Sequence, residues 1–424
     1  TYALGHDEVK PLTNKTHDPF GGWGASLVDS LSTMMVMGLD ETMDAVIPEI
    51  SKINFQLDEN VSVFESIIRY LGGLLSAYEL SDARHPILLQ KAEELAQALL
   101  PAFDTASGLP YHLWNPVKKE SLNNSTLIAE VGTVQLEFMV LSHHTRNPVY
   151  AQKAQKITDW LDKAGYRHGL NIVGLFPTDI DVHRGRFKDA TCTFGAMGDS
   201  AFEYFLKEYL LAEGSVPQYG RLYLHSIDSM KRYMLRQLPG SELLFLPPFD
   251  TRHHTAKRTM DHLTCFVPGM LAMGAKTFDR PDDMVVAKGL LETCVYMYRS
   301  TATGLCSENW QFENDEPYNP LTYSKSREQL TASRDWWYMQ GNSAQDTLVE
   351  HETSGNAHDQ ETVTQSYQLP PVSLPRPSGL QSMDRRYLLR PETVESIWIL
   401  YRVTGDPKYQ VSVDRYKDDD PPFF

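Results

Sequence analysis

The 424-residue chain is 42% hydrophobic, enough to bury a large core, and its 55 acidic against 39 basic residues give a formal net charge of −16. With no basic run or stripe, nucleic acid and anionic membrane are excluded as expected partners. No stretch reaches the roughly 18–20 apolar residues of a membrane span, and Thr1 to Glu8 lack the charged and apolar regions of a signal peptide.

Apolar residues recur at three- and four-residue spacing over 26–38, 62–80, 86–101, 126–145, 149–164, 196–211, 218–236, 260–276, 283–299 and 390–403. That periodicity, punctuated by turn residues, predicts helices. In the second stretch Phe64, Ile67, Ile68, Leu71, Leu74 and Leu75 make one wide apolar face. Gly72-Gly73 in the same stretch costs helix stability but lets a neighbouring helix approach closely. Alternating β signals are few and short. So many helices of similar length joined by short loops predict an all-α fold, arranged as a bundle, solenoid or α/α barrel. No 30–45-residue self-similarity supports a solenoid. Residues 341–383, rich in Gln, Ser, Thr and Pro, read as a surface loop or insert, and 411–424 as a solvated tail.

Carboxylates recur on these apolar helices, where they are costly to bury. Glu65 and Arg69 lie at i and i+4 on one face; Ser62 and Glu65 also fit a plain capping box. Asp199 and Glu203 repeat that spacing among Phe194, Phe202, Tyr204 and Phe205, and Asp199 also suits a helix N-terminus on charge grounds alone. In Arg390-Pro391-Glu392-Thr393-Val394-Glu395 the two glutamates share a face, Pro391 suits the first helical position, and Arg390 is placed to hold either one. With Asp29, Glu130 and Glu137, these residues predict one shared acidic cavity, the equipment for glycosidic hydrolysis. His262 is read either as a positioning group or as a satisfied core histidine. No GxSxG, Walker, GxGxxG, HExxH or CxxC element is present, which removes the common triad, nucleotide and zinc readings. The sequons at Asn14, Asn60, Asn123 and Asn124 lean toward the secretory pathway.

These segments resemble the class I α-1,2-mannosidases of glycoside hydrolase family 47. The resemblance is carried, in the family's order, by Gly5-His6-Asp7-Glu8, Gly22-Trp23-Gly24 through Asp29-Ser30-Leu31, and Phe64-Glu65-Ser66 through Tyr78. Next come Ala129-Glu130-Val131, Gln135-Leu136-Glu137-Phe138, Gly198-Asp199-Ser200 with Glu203-Tyr204, and His262-Leu263-Thr264-Cys265-Phe266. Tyr387 through Ser396 and Tyr401 through Tyr409 close the series. The resemblance implies an (αα)7 barrel over 1–410 that removes terminal α-1,2-linked mannose from high-mannose N-glycans with inversion, using Ca2+. It places Glu65 at the general-acid position, Glu392 at the general base and Asp199 as a third essential carboxylate. Asp29, Arg69, Glu137, Glu203, His262, Arg390 and Glu395 match substrate or supporting positions. Cys265 and Cys294 match the family's disulfide, leaving Cys192 and Cys306 free or weakly paired.

The departures are specific. Ser32 stands where the family usually carries a second aspartate. Met197 stands where the single-mannose-trimming enzymes of the endoplasmic reticulum carry arginine, implying broader, Golgi-like or secreted-type trimming. After Gln410 no ESFxxAETLKY-like or FNTEAHP-like segment follows, so the threonine that ligates calcium in the family is not expected here, nor is the start of the first helix. The expectation is a monomer of the secretory pathway lumen or outside it, soluble or anchored in a longer form. The alternative is a catalytically silent glycan binder or truncated product.

Overall fold

The computed structural model describes residues 4–301, 303–323 and 379–410. The expected insert at 341–383 lies outside these except for 379–383, and the 411–424 tail lies outside them altogether. The chain divides into two compact units, one of residues 1–234 and 247–257, the other of residues 235–246 and 258–424.

The first unit is a series of helices with two small three-stranded sheets and two strand pairs between them. Its core is built from Ile67, Tyr70, Leu71, Leu74, Leu95, Phe138 and Phe202, all fully buried. The predicted 62–80 helix is found, with an inserted wide turn. Val63–Glu65 is α-helical, Ser66–Leu71 is a π-helix, and Gly72–Leu80 is α-helical again. Such π segments inside α-helices recur at functional sites, and this one carries Arg69.

The glycine pair has the expected use at one of its two positions. A Cβ on Gly73 would stand 2.7 Å from the Val28 carbonyl oxygen, whereas one on Gly72 would meet Glu137 Oε1 at an ordinary 3.6 Å. Gly73→Ala is therefore expected to cost about 1–3 kcal/mol, and Gly72→Ala to be neutral or to gain up to about 1 kcal/mol from helix propensity. Urea midpoints of the two variants check this; equal midpoints would show that the close approach at Val28 is not needed.

Three predicted helices are divided. Residues 26–38 form Ala25–Asp29 and Leu31–Val36, broken at Ser30. Residues 126–145 form Ile128–Gly132 and Gln135–Thr145, separated by Thr133 and Val134 at φ −131° and −136°. This β-branched pair resists the helical rotamers, and Gly132 lies where a Cβ would be 2.5 Å from Ala201 Cβ. Residues 260–276 begin as the strand Thr259–Asp261 and a 3₁₀ turn, His262–Phe266, before the α-helix Val267–Thr277. Pro268 in the first turn of that helix has no N–H to continue a helix from upstream. A further helix, Asp40–Ser51, was not predicted, although Met43, Val46, Ile47 and Ile50 recur at three- and four-residue spacing; it contains Pro48 and buries Met43 and Ile50.

The second unit packs Val267–Thr277, Pro281–Arg299 and Glu392–Thr404 with a sheet of Thr259–Asp261, Asn309–Phe312 and Leu380–Ser382. Phe245 stacks on Phe312 with ring centroids 3.7 Å apart, beside Trp310 and Leu380. The Cys265–Cys294 disulfide implied by the family resemblance is present and ties the 3₁₀ turn to the long helix. Cys192 and Cys306 are free and buried. Burial pushes both thiols up, Cys306 to about 12, which keeps them protonated and inert.

Candidate functional site

In the first unit the chemistry begins at a helix start. Ser62 Oγ accepts the Glu65 N–H at 3.2 Å, which is half of a capping box. The other half is absent, because the Glu65 carboxylate turns away from the backbone. Its Oε2 accepts from Arg69 Nε at 2.8 Å, so the capping explanation leaves the carboxylate itself unaccounted for. Arg69 Nη1 also reaches Asp29 Oδ2 at 3.4 Å, and its guanidinium lies over the Phe20 ring at 4.6 Å. Arg69 thus draws two predicted carboxylates, Glu65 and Asp29, to one cation. Burial raises the Asp29 pKa, opposed by Arg69.

A buried aspartate holds the loop that supplies this cluster. Asp7 is fully buried and its carboxylate accepts five hydrogen bonds. The donors are the N–H groups of Phe20, Gly22, Gly24 and Ala25 at 2.8–3.1 Å and the Tyr70 hydroxyl at 2.6 Å. Phe20 and the start of the helix bearing Asp29 therefore hang on one side chain. The sequence showed Asp7 only as part of a motif.

Glu137 is buried with its Oε1 accepting from the Tyr204 hydroxyl at 2.7 Å, and Oε2 has no hydrogen-bond partner among the described residues. Burial pushes its pKa up to about 7, against the pull of that hydroxyl. Asp199 opens the Asp199–Leu211 helix half-buried, and its Oδ1 accepts from the Ser200 N–H at 2.8 Å. Glu203, one turn on, pairs with Lys207 at 2.6 Å. Met197 is exposed at φ +76°.

In the second unit His262 is buried, and its Nδ1 faces Glu392 Oε2 at 3.3 Å, close but misaligned for a hydrogen bond. Its Nε2 lies 2.7 Å from the Tyr298 hydroxyl and 3.2 Å from Thr393 Oγ1. Only Nε2 is hydrogen-bonded; Nδ1 stands against Glu392 Oε2 without a hydrogen bond between them. The Glu392–Thr404 helix starts at Glu392 with Pro391 as its N-cap, one position earlier than the predicted first helical position. Glu392 and Glu395 fall in its first turn.

Arg390 does not hold Glu392 or Glu395 in this structure. It forms a fork with Glu308, with contacts of 3.0, 3.2 and 2.9 Å. Glu308 is buried, further raises the Arg390 pKa, and accepts the His262 N–H on its backbone carbonyl at 2.8 Å. Sequence reading missed Glu308. It stands alone in its segment with no partner at helical spacing, so only tertiary contact reveals it.

The sequons at Asn14, Asn60 and Asn124 are exposed and Asn123 is half-buried. Among the described residues no helix is long and apolar enough to cross a membrane.

The chain matches glycosyl hydrolase family 47 over residues 1–415, slightly beyond Gln410. It is 33% identical over 96% of its length to the mannosyl-oligosaccharide 1,2-alpha-mannosidase of Arabidopsis thaliana, covering 62% of that protein. The human endoplasmic reticulum mannosyl-oligosaccharide 1,2-alpha-mannosidase is also 33% identical, with 96% of this chain and 50% of that protein covered. The chain therefore spans about half to three-fifths of the curated relatives it matches. Among solved structures, the alpha-1,2-mannosidase from Trichoderma reesei superposes with a TM-score of 0.77 at 27% identity, over 97% of this chain and 78% of that one. The all-α class read from helical spacing holds, and the fold matched is the (αα)7 barrel. With the family matched along nearly its whole length, the chain belongs to glycosyl hydrolase family 47.

Proposed function

We propose that the chain hydrolyses terminal α-1,2-linked mannose from high-mannose N-glycans, with inversion at the anomeric carbon. The observation that carries this reading is the retention of Glu65, Asp199 and Glu392, each in its family motif, in a chain 33% identical to an enzyme named for that activity. In the proposed reaction Glu65 is the acid that protonates the departing glycosidic oxygen. Glu392 takes a proton from the water that attacks the anomeric carbon from the opposite face. Asp199 is the third carboxylate, stabilising the positive charge that builds on the sugar ring. Arg69 engages one oxygen of Glu65 and so fixes the direction of the other. His262 stands against Glu392, with its Nδ1 3.3 Å from Oε2. Asp29, Glu137, Glu203, Arg390 and Glu395 are assigned to sugar hydroxyls or to the support of groups that touch them. Met197 accords with trimming of more than one mannose. The working environment is the secretory pathway lumen or the exterior, and the working form a monomer.

Calcium is the family's cofactor, but no direct ligand group for it is shown among the described residues. Among them no three or more His, Cys, Asp or Glu side chains come together as a metal site. No step above therefore runs through the ion.

The test is incubation with a high-mannose glycan, with and without added calcium, and quantification of free mannose. Release is expected to continue until the α-1,2-linked residues are gone and to stop at α-1,3 and α-1,6 linkages. No release under conditions where the Trichoderma enzyme is active would overturn the proposal.

A further inference from the structure

His112 is a histidine that neither helical spacing nor the family resemblance singled out. The strand Leu113–Trp114 pairs antiparallel with Val61–Ser62, Leu113 opposite Ser62. The His112 carbonyl then accepts the Val63 N–H at 3.1 Å. Val63 begins the helix that bears Glu65, so the histidine backbone is pinned beside that helix start.

Its side chain is oriented from one end only. Nδ1 lies 2.6 Å from Glu130 Oε1, and that glutamate side chain is only 8% exposed. Glu130 is itself locked, because Oε2 accepts from Thr126 Oγ1 and the Leu127 N–H, both at 3.1 Å. A buried carboxylate with its second oxygen already engaged fixes the imidazole ring plane and its tautomer. The ring is still 34% exposed, and Nε2 has no hydrogen-bond partner among the described residues. The charged groups that face it are Glu130, from the helix Ile128–Gly132, and Glu65, from the paired element; both favour the imidazolium. This is the build of a ligand-binding imidazole: one nitrogen buried on a carboxylate, the other presented outward as a donor.

We propose that His112 is a substrate-binding residue of the Glu65 site, donating from Nε2 of its imidazolium to a hydroxyl of the bound glycan. The proposal rests on the glycosidase reading above. A charged donor to a neutral hydroxyl supplies orientation as well as affinity. It is present at acid pH and lost as pH rises through the His112 pKa in the folded chain, which Glu130 holds above the ordinary histidine value.

The test uses the full chain silenced by Glu392→Gln, so that glycan is bound and not consumed. Calorimetry with a high-mannose glycan at about pH 5.5 and about pH 8 spans the histidine range. Binding is expected to be roughly tenfold tighter at the lower pH. Adding His112→Gln should remove that difference and weaken acid-pH binding to the alkaline value. Glu130→Gln, which keeps a partner on the ring but removes the charge, should move the pH dependence downward. Glu137 titrates near the same range, so the decisive quantity is the difference between proteins with and without His112. A pH dependence unchanged by His112→Gln overturns the inference while leaving the glycosidase reading intact. No binding by the silenced parent at either pH, with no mannose release by the native chain, overturns both.

Discussion

Glu392→Gln is expected to lower the rate of mannose release by roughly 10³ while the protein still folds. The amide keeps the shape of the carboxylate and its place in the first turn of the Glu392–Thr404 helix. It cannot take a proton from water. The neighbouring His262 is not expected to replace it, because the ring is buried and its Nε2 is held by the Tyr298 and Thr393 hydroxyls. The loss should fall on kcat, since a base acts on the attacking water rather than on ground-state binding. Initial rates against glycan concentration check this, with circular dichroism as the folding control. A variant within tenfold of the native rate would remove Glu392 as the base.

Asp7→Ala carries the largest expected cost in stability, about 3–5 kcal/mol. Four backbone N–H groups and the Tyr70 hydroxyl end on this carboxylate. Alanine leaves the four N–H groups with no acceptor, and those of Gly24 and Ala25, which are buried, carry the largest desolvation penalty. The damage should spread to function, because Phe20 covers the Arg69 guanidinium and Arg69 holds Glu65 and Asp29. Glu8→Ala, which removes only an exposed pair with His17, is the control and should shift stability by less than about 0.5 kcal/mol. Denaturant midpoints of the two variants check both values. Equal midpoints would show that the loop is held by something other than Asp7.

Helix existence was legible where burial is periodic. Phe64, Ile67, Ile68, Leu71, Leu74 and Leu75 announced the 63–80 element, and its core-facing members are buried. The π segment inside it was not legible, because an inserted residue in the turn leaves composition unchanged. The Asp40–Ser51 helix was legible but missed, since Met43, Val46, Ile47 and Ile50 keep helical spacing around the internal Pro48. The 3₁₀ turn at His262 was read as α-helix because both geometries repeat apolar residues at three to four positions.

The site showed a similar division. Carboxylates paired at i and i+4 could be read from spacing, as with Glu65 and Arg69, which meet at 2.8 Å. Partners brought from far along the chain could not. Arg390 goes to Glu308, 82 positions away, rather than to the glutamates beside it. His112 meets Glu130 through strand pairing, and Asp7 meets its donors through a folded loop. Local spacing identifies which residues carry charge; tertiary contact decides which charges answer one another.

The most direct test of the central claim is the configuration of the sugar at the moment of release. Proton nuclear magnetic resonance followed from the first minutes of reaction distinguishes the two anomers of free mannose before they equilibrate. An acid and a base acting on opposite faces in one displacement release β-mannose first from an α-linked glycan. First appearance of α-mannose would mean retention through a covalent intermediate, and would contradict the roles assigned to Glu65 and Glu392.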